Sequence, residues 1–162
     1  MKQSKIQLQK AQELYRRDHP RCWRPVMVNG LWVFCFREAA HAHHIAGRGM
    51  GKEGSENKFP LCAYPTGSCH LGWAHGESIN VEPQGVARVR MFTVKVAMGE
   101  IETPDILRLM NGRNWAVGEL AYCPDVAAAV WLLMYRMDSL WGSDHFKYER
   151  RRMAQLRAGQ SF

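Results

Sequence analysis

The chain lacks the hydrophobic segments that direct a protein to or across a membrane. The residues from Met1 to Lys5 do not lead into the apolar core of a signal peptide. No window approaches the roughly 18 consecutive apolar residues that a membrane-spanning helix needs. We therefore expect a soluble cytoplasmic protein with no membrane partner.

Internal repeats and a disulfide framework are also missing. No segment of the 162 residues repeats, which excludes a solenoid. The five cysteines are an odd number without signs of secretion, so free thiols or thiolate metal ligands are expected. The length suits one domain, or one small domain with an extension.

Acidic residues are outnumbered by basic ones. Lys and Arg total 22 against 15 Asp and Glu, which gives a net charge of +7. A basic surface favours a polyanionic partner, although many basic proteins are merely basic.

The first half of the chain contains signals for a helix, a hairpin and a second pair of strands. Residues 5–18 form an amphipathic pattern with a basic face, which predicts a helix. Asn29-Gly30 lies between β-branched and aromatic runs, which predicts a hairpin over residues 26–34. Further predictions are an extended segment at 39–45, an exposed loop at 47–58, a strand at 59–63 and a helix at 69–74 capped by Ser68.

The second half is predicted to be mainly helical. The period of residues 86–98 does not separate strand from helix. Helices are expected from a Thr103 cap to Gly112, over residues 124–140, and after a Ser143 cap. We therefore divide the chain into a module at residues 1–80 and a basic, helical extension of unknown role at residues 81–162.

Histidines and cysteines are concentrated between residues 41 and 75. Five of the seven histidines and two of the five cysteines fall in this segment. The histidines are His41, His43, His44, His70 and His75. This density predicts a metal site.

The segment resembles the HNH, or ββα-metal, nuclease module. That module has a His or Asp followed by His-Ile, an Asn after a loop, and a Leu-Cys … Cys-His element that opens a helix. The matching residues here are His43-His44-Ile45, Asn57, Leu61-Cys62 and Cys69-His70. The resemblance covers roughly residues 5 to 76 and implies an α+β fold, in which a basic helix and a hairpin precede the module.

The resemblance implies a metal-dependent DNA endonuclease that hydrolyses phosphodiester bonds. It makes His43 and His70 ligands of one divalent ion, His44 the general base that activates water, and Asn57 the residue that ties the loop to the strand. Adjacent strand residues point to opposite sides, so His43 can face the ion while His44 faces the water. A neutral imidazole suits a general base at physiological pH.

The expected working ion is magnesium or manganese, and histidine ligands also accept zinc or nickel. DNA is the expected partner, and a homodimer or larger complex stays open. The small size and basic extension resemble nucleases of phage genomes and mobile elements, which would place the protein in the host cytoplasm.

Two departures from the family pattern concern the helix. The usual Cys-x2-Cys-His becomes Cys62-x6-Cys69-His70, and the longer turn accounts for the shifted position of Asn57. His75 follows His70 by five residues, which on an α-helix separates the side chains by about 140 degrees. His75 is therefore a third ligand only if the helix ends early, and otherwise contacts phosphate or solvent.

The cysteines form a candidate structural zinc site. Cys22 and Cys35 flank the hairpin, whereas Cys62 and Cys69 flank the expanded turn. Four thiolates suit tetrahedral zinc, although neither pair has the usual two-residue spacing. Buried free cysteines are the competing interpretation.

Several residues are candidates for DNA contact: His41, Arg48, Lys147, Arg150 and Arg151. The four basic residues are equally open to a solvated surface role, whereas His41 is expected to support a metal ligand or to contact phosphate. The alternative function is a non-catalytic zinc-binding module that recognises nucleic acid. A weaker alternative is a metal hydrolase that does not act on nucleic acid.

Overall fold

Two antiparallel strand pairs and six α-helices make up most of the described part of the chain. The computed structural model describes residues 4–47, 52–63, 69–76, 82, 84–110 and 125–159. The strands are β1 (Pro25–Val28), β2 (Leu31–Phe34), β3 (His41–His44) and β4 (Lys58–Leu61). The helices are α1 (Lys5–Asp18), α2 (Gln84–Ala97), α3 (Thr103–Leu109), α4 (Val126–Arg136), α5 (Asp138–Trp141) and α6 (Asp144–Arg157). This mixture confirms an α+β fold class, whereas the HNH module itself stays a prediction.

The amino-terminal helix and the hairpin form where the sequence predicts them. Ser4 caps α1 through a reciprocal pair of hydrogen bonds with Gln7. The β1–β2 turn places both Asn29 (φ 51°) and Gly30 (φ 78°) in the left-handed region. A two-residue hairpin turn of this kind needs positive φ at both positions, which explains the choice of Asn and Gly.

Strands β3 and β4 place the histidine segment in an antiparallel pair. His43 lies opposite Phe59, and His44 lies opposite Lys58. The predicted loop ends earlier than expected, because Ser55–Asn57 forms a 3-10 turn and β4 begins at Lys58. Asn57 is consequently buried at the junction of turn and strand.

The predicted helix at residues 69–74 is present as Cys69–Ala74, but it is a π-helix, a type that the sequence did not predict. The His75 amide donates to the His70 carbonyl at 3.1 Å, five residues back. A π-turn closes over five residues and an α-turn over four. The 140-degree separation expected for His70 and His75 is therefore wrong. Ser68 lies outside the described residues.

The second half differs from prediction at helix boundaries. Residues 84–97 are helical, which settles the ambiguous segment. Glu102 caps α3 in place of the predicted Thr103. The single helix expected over 124–140 is two helices, α4 and α5, separated at Met137. Ser143 caps α6 as predicted, and Gly112 lies outside the described residues.

The two halves contribute to one hydrophobic core. Its members from the first half include Trp23, Phe59 and Trp73, and those from the second include Phe92, Ile106 and Leu133. The domain division near residue 80 stays a prediction, although the hydrophobic core contains buried side chains from both sides of it. Among the described residues, none of the helices combines the length and apolar character needed to cross a membrane.

Candidate metal centre

Three histidines bring their nitrogen atoms together beside strand β3. One ligand atom from each of His43, His70 and His75 lies within 4.8 Å of the other two, and the group could hold a metal ion. The Nε2 atoms of His70 and His75 are 3.2 Å apart. Metal–nitrogen bonds in a tetrahedral site place the nitrogens about 3.3 Å apart, so this spacing fits a shared ion.

Burial keeps His43 and His70 neutral. It lowers the pKa of His43 to about 3, and the neighbouring His75 and His70 add to the effect. It also lowers the pKa of His70 to about 4, with further contributions from His41 and His75. A metal ligand must offer a lone pair, which a neutral imidazole has at physiological pH.

His41 lies beside this group without joining it. Its ring stacks on His70 with centroids 4.2 Å apart and planes 14° apart. Burial lowers the pKa of His41, and the charge of Arg16 lowers it further. His41 therefore lies next to the three histidines, and both a supporting role and a DNA contact stay predictions.

His44 pairs with Glu53 and is not one of the three clustered histidines. Its Nε2 is 3.1 Å from the Glu53 Oε2. An ionised carboxylate only accepts hydrogen bonds, so the imidazole donates from Nε2 and keeps its lone pair on Nδ1. The sequence did not single out Glu53, because it is one of several charged residues in the 47–58 loop and its spacing matches no motif.

Asn57 holds the loop between β3 and β4 at both ends. Its Oδ1 accepts from the Ala46 amide at 2.8 Å, and its Nδ2 donates to the carbonyls of Gly47 and Lys52 at 2.9 and 2.8 Å. The backbone carbonyl of Asn57 also accepts from the Ile45 amide. These bonds tie the loop to the end of the strand that bears His44, as the resemblance implies.

A buried polar network forms hydrogen bonds with the backbone of β4. The Lys58 carbonyl accepts from the Tyr15 hydroxyl at 2.8 Å and from the Lys95 Nζ at 2.7 Å. Lys95 is fully buried, donates also to the Ser55 carbonyl, and lies 3.3 Å from a Glu100 carboxylate oxygen. Helices α1 and α2 therefore meet at the strand opposite His44.

Four cysteines form a second cluster. The Sγ atoms of Cys22, Cys35, Cys62 and Cys69 all lie within 4.8 Å of one another, and the cluster could hold a metal ion. The Cys35 and Cys62 sulfurs are 3.9 Å apart, close to the roughly 3.8 Å edge of a tetrahedral zinc–thiolate site. Backbone hydrogen bonds help to bring the cysteines of each pair together. The Cys22 amide donates to the Arg37 carbonyl, just after the hairpin, and the His70 amide donates to the Cys62 carbonyl.

The cluster's thiols influence one another's ionisation. Burial raises the pKa of Cys22, whose thiol then donates to its neighbours. Hydrogen bonding from Cys22 lowers the pKa of Cys35 to about 2 and that of Cys62 to about 6. Zinc binds cysteines as thiolates and displaces their protons, so four sulfurs within 4.8 Å of one another fit a structural ion.

The three histidines open onto a cavity of about 520 Å³. His41 and His44 also line it, so the candidate ligands and the candidate base share one space. Lys147, Arg150 and Arg151 are exposed on α6 and are not among its lining residues. Their DNA contact stays a prediction, and Arg48 lies outside the described residues.

Comparison of the chain with protein-family models, curated proteins and solved structures finds no match.

Proposed function

We propose that this protein is a metal-dependent DNA endonuclease of the HNH type. The observation that carries the proposal is the approach of His43, His70 and His75 within 4.8 Å at the wall of an open cavity that His44 shares. A purely structural ion would need neither an open cavity nor a further histidine in the lining of that cavity.

His44 acts as the general base in this proposal. Its Nε2 is committed to Glu53, so Nδ1 takes the proton from the attacking water. Asn57 keeps the preceding loop in place through its bonds to residues 46, 47 and 52. The water is thereby activated by an imidazole that cannot rotate freely.

His43, His70 and His75 would hold one divalent ion. When bound, the ion supplies positive charge for the phosphate and the leaving oxygen. The imidazole ligands favour zinc or nickel, whereas the oxygen atoms of phosphate and water favour magnesium or manganese, so all four ions are candidates. The four cysteines would hold a separate structural zinc.

A test is cleavage of supercoiled plasmid by the wild type and by His44→Ala, each with manganese, zinc, nickel, magnesium or EDTA. We expect nicking or linearisation that requires a metal and falls about a hundredfold or more in the variant, as for loss of a general base. His145→Ala is the matched control, since His145 is exposed on α6 and stacks on Phe36 away from the three histidines. Equal cleavage by His44→Ala would refute the assigned base.

The second candidate function is a non-catalytic zinc module that recognises nucleic acid. The cysteine cluster favours it, because a zinc site made of four cysteines accounts for a folded module without any chemistry. The same experiment separates the two functions. No cleavage of DNA with any metal, together with DNA binding and one tightly held zinc per chain, would support the module.

A further inference from the structure

Two grooves meet at the three histidines, one along α1 and one along α2. The larger cavity, of about 520 Å³, is lined on the α1 side by Gln9, Gln12 and Arg16. A smaller cavity, of about 120 Å³, is lined on the α2 side by Gln84 and Arg88. Both are lined by the same four central residues, His43, His44, Gly47 and His75. The candidate metal centre therefore lies between the two grooves.

The sequence spacing of these residues places them on one face of each helix. Gln9, Gln12 and Arg16 are separated by three and four residues, which places them on one face of α1. Gln84 and Arg88 are four residues apart on α2 and share a face in the same way. The Arg16 guanidinium donates to the Ala40 carbonyl just before β3, which holds it at the edge of the larger cavity.

The described residues that line the two grooves include positive charges. Among the described residues that line them, Arg16 and Arg88 carry permanent charge and none is acidic. By contrast, a third cavity of about 560 Å³ has charges of both signs in its lining, with Asp18, Glu53 and Glu100 against Lys58 and Arg157.

We propose that one DNA strand runs from the α1 groove across the three histidines into the α2 groove, with Arg16 and Arg88 each holding a phosphate that flanks the one to be cut. The proposal rests on the nuclease function proposed above. It gives α2, in the half of the chain that resembles no family, a direct part in substrate binding. Arginine suits this part because its planar fork matches two phosphate oxygens.

The test measures DNA binding without cleavage, in a His44→Ala background with manganese. A fluorescein-labelled duplex of about 20 base pairs is titrated between about 50 and 200 mM NaCl, and the logarithm of the binding constant is plotted against that of the salt concentration. Each lost phosphate contact should reduce the slope by about 0.9. We expect that reduction in Arg16→Ala and in Arg88→Ala, and twice as much in the double variant.

Matched variants separate charge contacts from other effects. Arg17→Ala removes the same charge from the same helix at a residue paired with Asp18, and should leave the slope unchanged. Arg16→Lys and Arg88→Lys keep the charge and should restore most of the slope. Unchanged slopes in both alanine variants, equal loss in the lysine variants, or a reduction found only in Lys147→Ala on α6 would overturn the proposal.

The two proposals can fail separately. Plasmid cleavage by the wild type with unchanged slopes in the arginine variants would remove the strand path and leave the nuclease. Slopes that depend on Arg16 and Arg88, without cleavage under any metal, would remove the nuclease and keep the path for a bound strand.

Discussion

Glu53 occupies the position from which a side chain can orient the proposed general base. Its carboxylate accepts from the His44 Nε2, and the His44 side chain is only 7% exposed. A carboxylate in this position fixes both the tautomer and the ring orientation of an imidazole, as partners of metal-bound histidines do. The orientation of His44 thus depends on a residue that lies nine positions later.

Replacing Glu53 should slow the chemical step with little change in DNA binding. We expect Glu53→Ala to reduce kcat by about tenfold to a hundredfold while KM for plasmid stays within about twofold, because the ring loses its orienting partner. Glu53→Gln, which still accepts a hydrogen bond, should retain more activity. Glu56→Gln is the control, since Glu56 lies on the same loop and pairs with Arg108. A kcat of Glu53→Ala equal to that of the wild type would contradict the role.

For individual residues, the sequence predicted which histidines form the site better than how they are arranged in space. The order of His43, Asn57 and His70 pointed to one site, and the structure brings His43 and His70 together. The place of His75 could not be predicted, because it depends on a π-turn that no residue pattern announces. Glu53 and Arg88 could not be predicted either, since single charged residues reach the site only through tertiary packing.

Helix α2 supports the strand pair through one buried lysine. Lys95 is fully buried and bonds the carbonyls of Ser55 and Lys58, on either side of the Asn57 turn. Its ammonium also faces the Glu100 carboxylate, which pairs with His19 after α1. The pattern of residues 86–98 did not distinguish a strand from a helix. In the sequence, Lys95 looks like an ordinary surface residue, although it determines how this segment packs.

Lys95→Met should destabilise the whole fold. The substitution leaves the buried Glu100 without the ammonium that faces it and removes a donor from two carbonyls. We expect a loss of about 3 to 5 kcal/mol in the free energy of unfolding by urea, the usual cost of breaking a buried pair from one side. Lys147→Met on exposed α6 should change it by less than about 0.5 kcal/mol. A Lys95→Met variant as stable as the wild type would show that the network contributes little.

Helix α6 connects the end of the chain to its beginning. Arg152 donates to the carbonyls of Arg17 and Asp18 at the end of α1, and Arg157 donates to the Gly99 carbonyl. Glu149, three residues before Arg152, is fully buried, and its Oε2 lies 3.9 Å from the Arg152 Nη1, beyond hydrogen-bond distance. The last helix is therefore part of the packed molecule, a point that the predicted extension at residues 81–162 left open.

The buried Glu149 makes stability depend on pH. Burial raises the pKa of its carboxyl above the ordinary 4.5, against a lowering by Arg152. The folded form thus holds the proton more tightly, and stability falls as the pH rises from about 4.5 through the folded pKa. Glu149→Gln should then be more stable than the wild type by about 1 kcal/mol at about pH 7.5 and equal to it near about pH 4.

Thermal unfolding at several pH values measures this difference, with Glu13→Gln as the exposed control on α1. A gain in Tm of Glu149→Gln that is the same at about pH 4 and about pH 7.5 would point to packing and not to the charge.

The Lys58 carbonyl, which accepts from both Tyr15 on α1 and Lys95 on α2, has a consequence for how a ligand would enter. The helices that bear Arg16 and Arg88 are fastened to a single backbone atom, so the distance between them is set when the chain folds. The conformational entropy lost in ordering α1 and α2 is lost when the chain folds, and it is not lost again when a ligand binds. A DNA strand that fits the separation of α1 and α2 would bind without a rearrangement of these helices. A ligand of a different width would not be accommodated by a change in that separation.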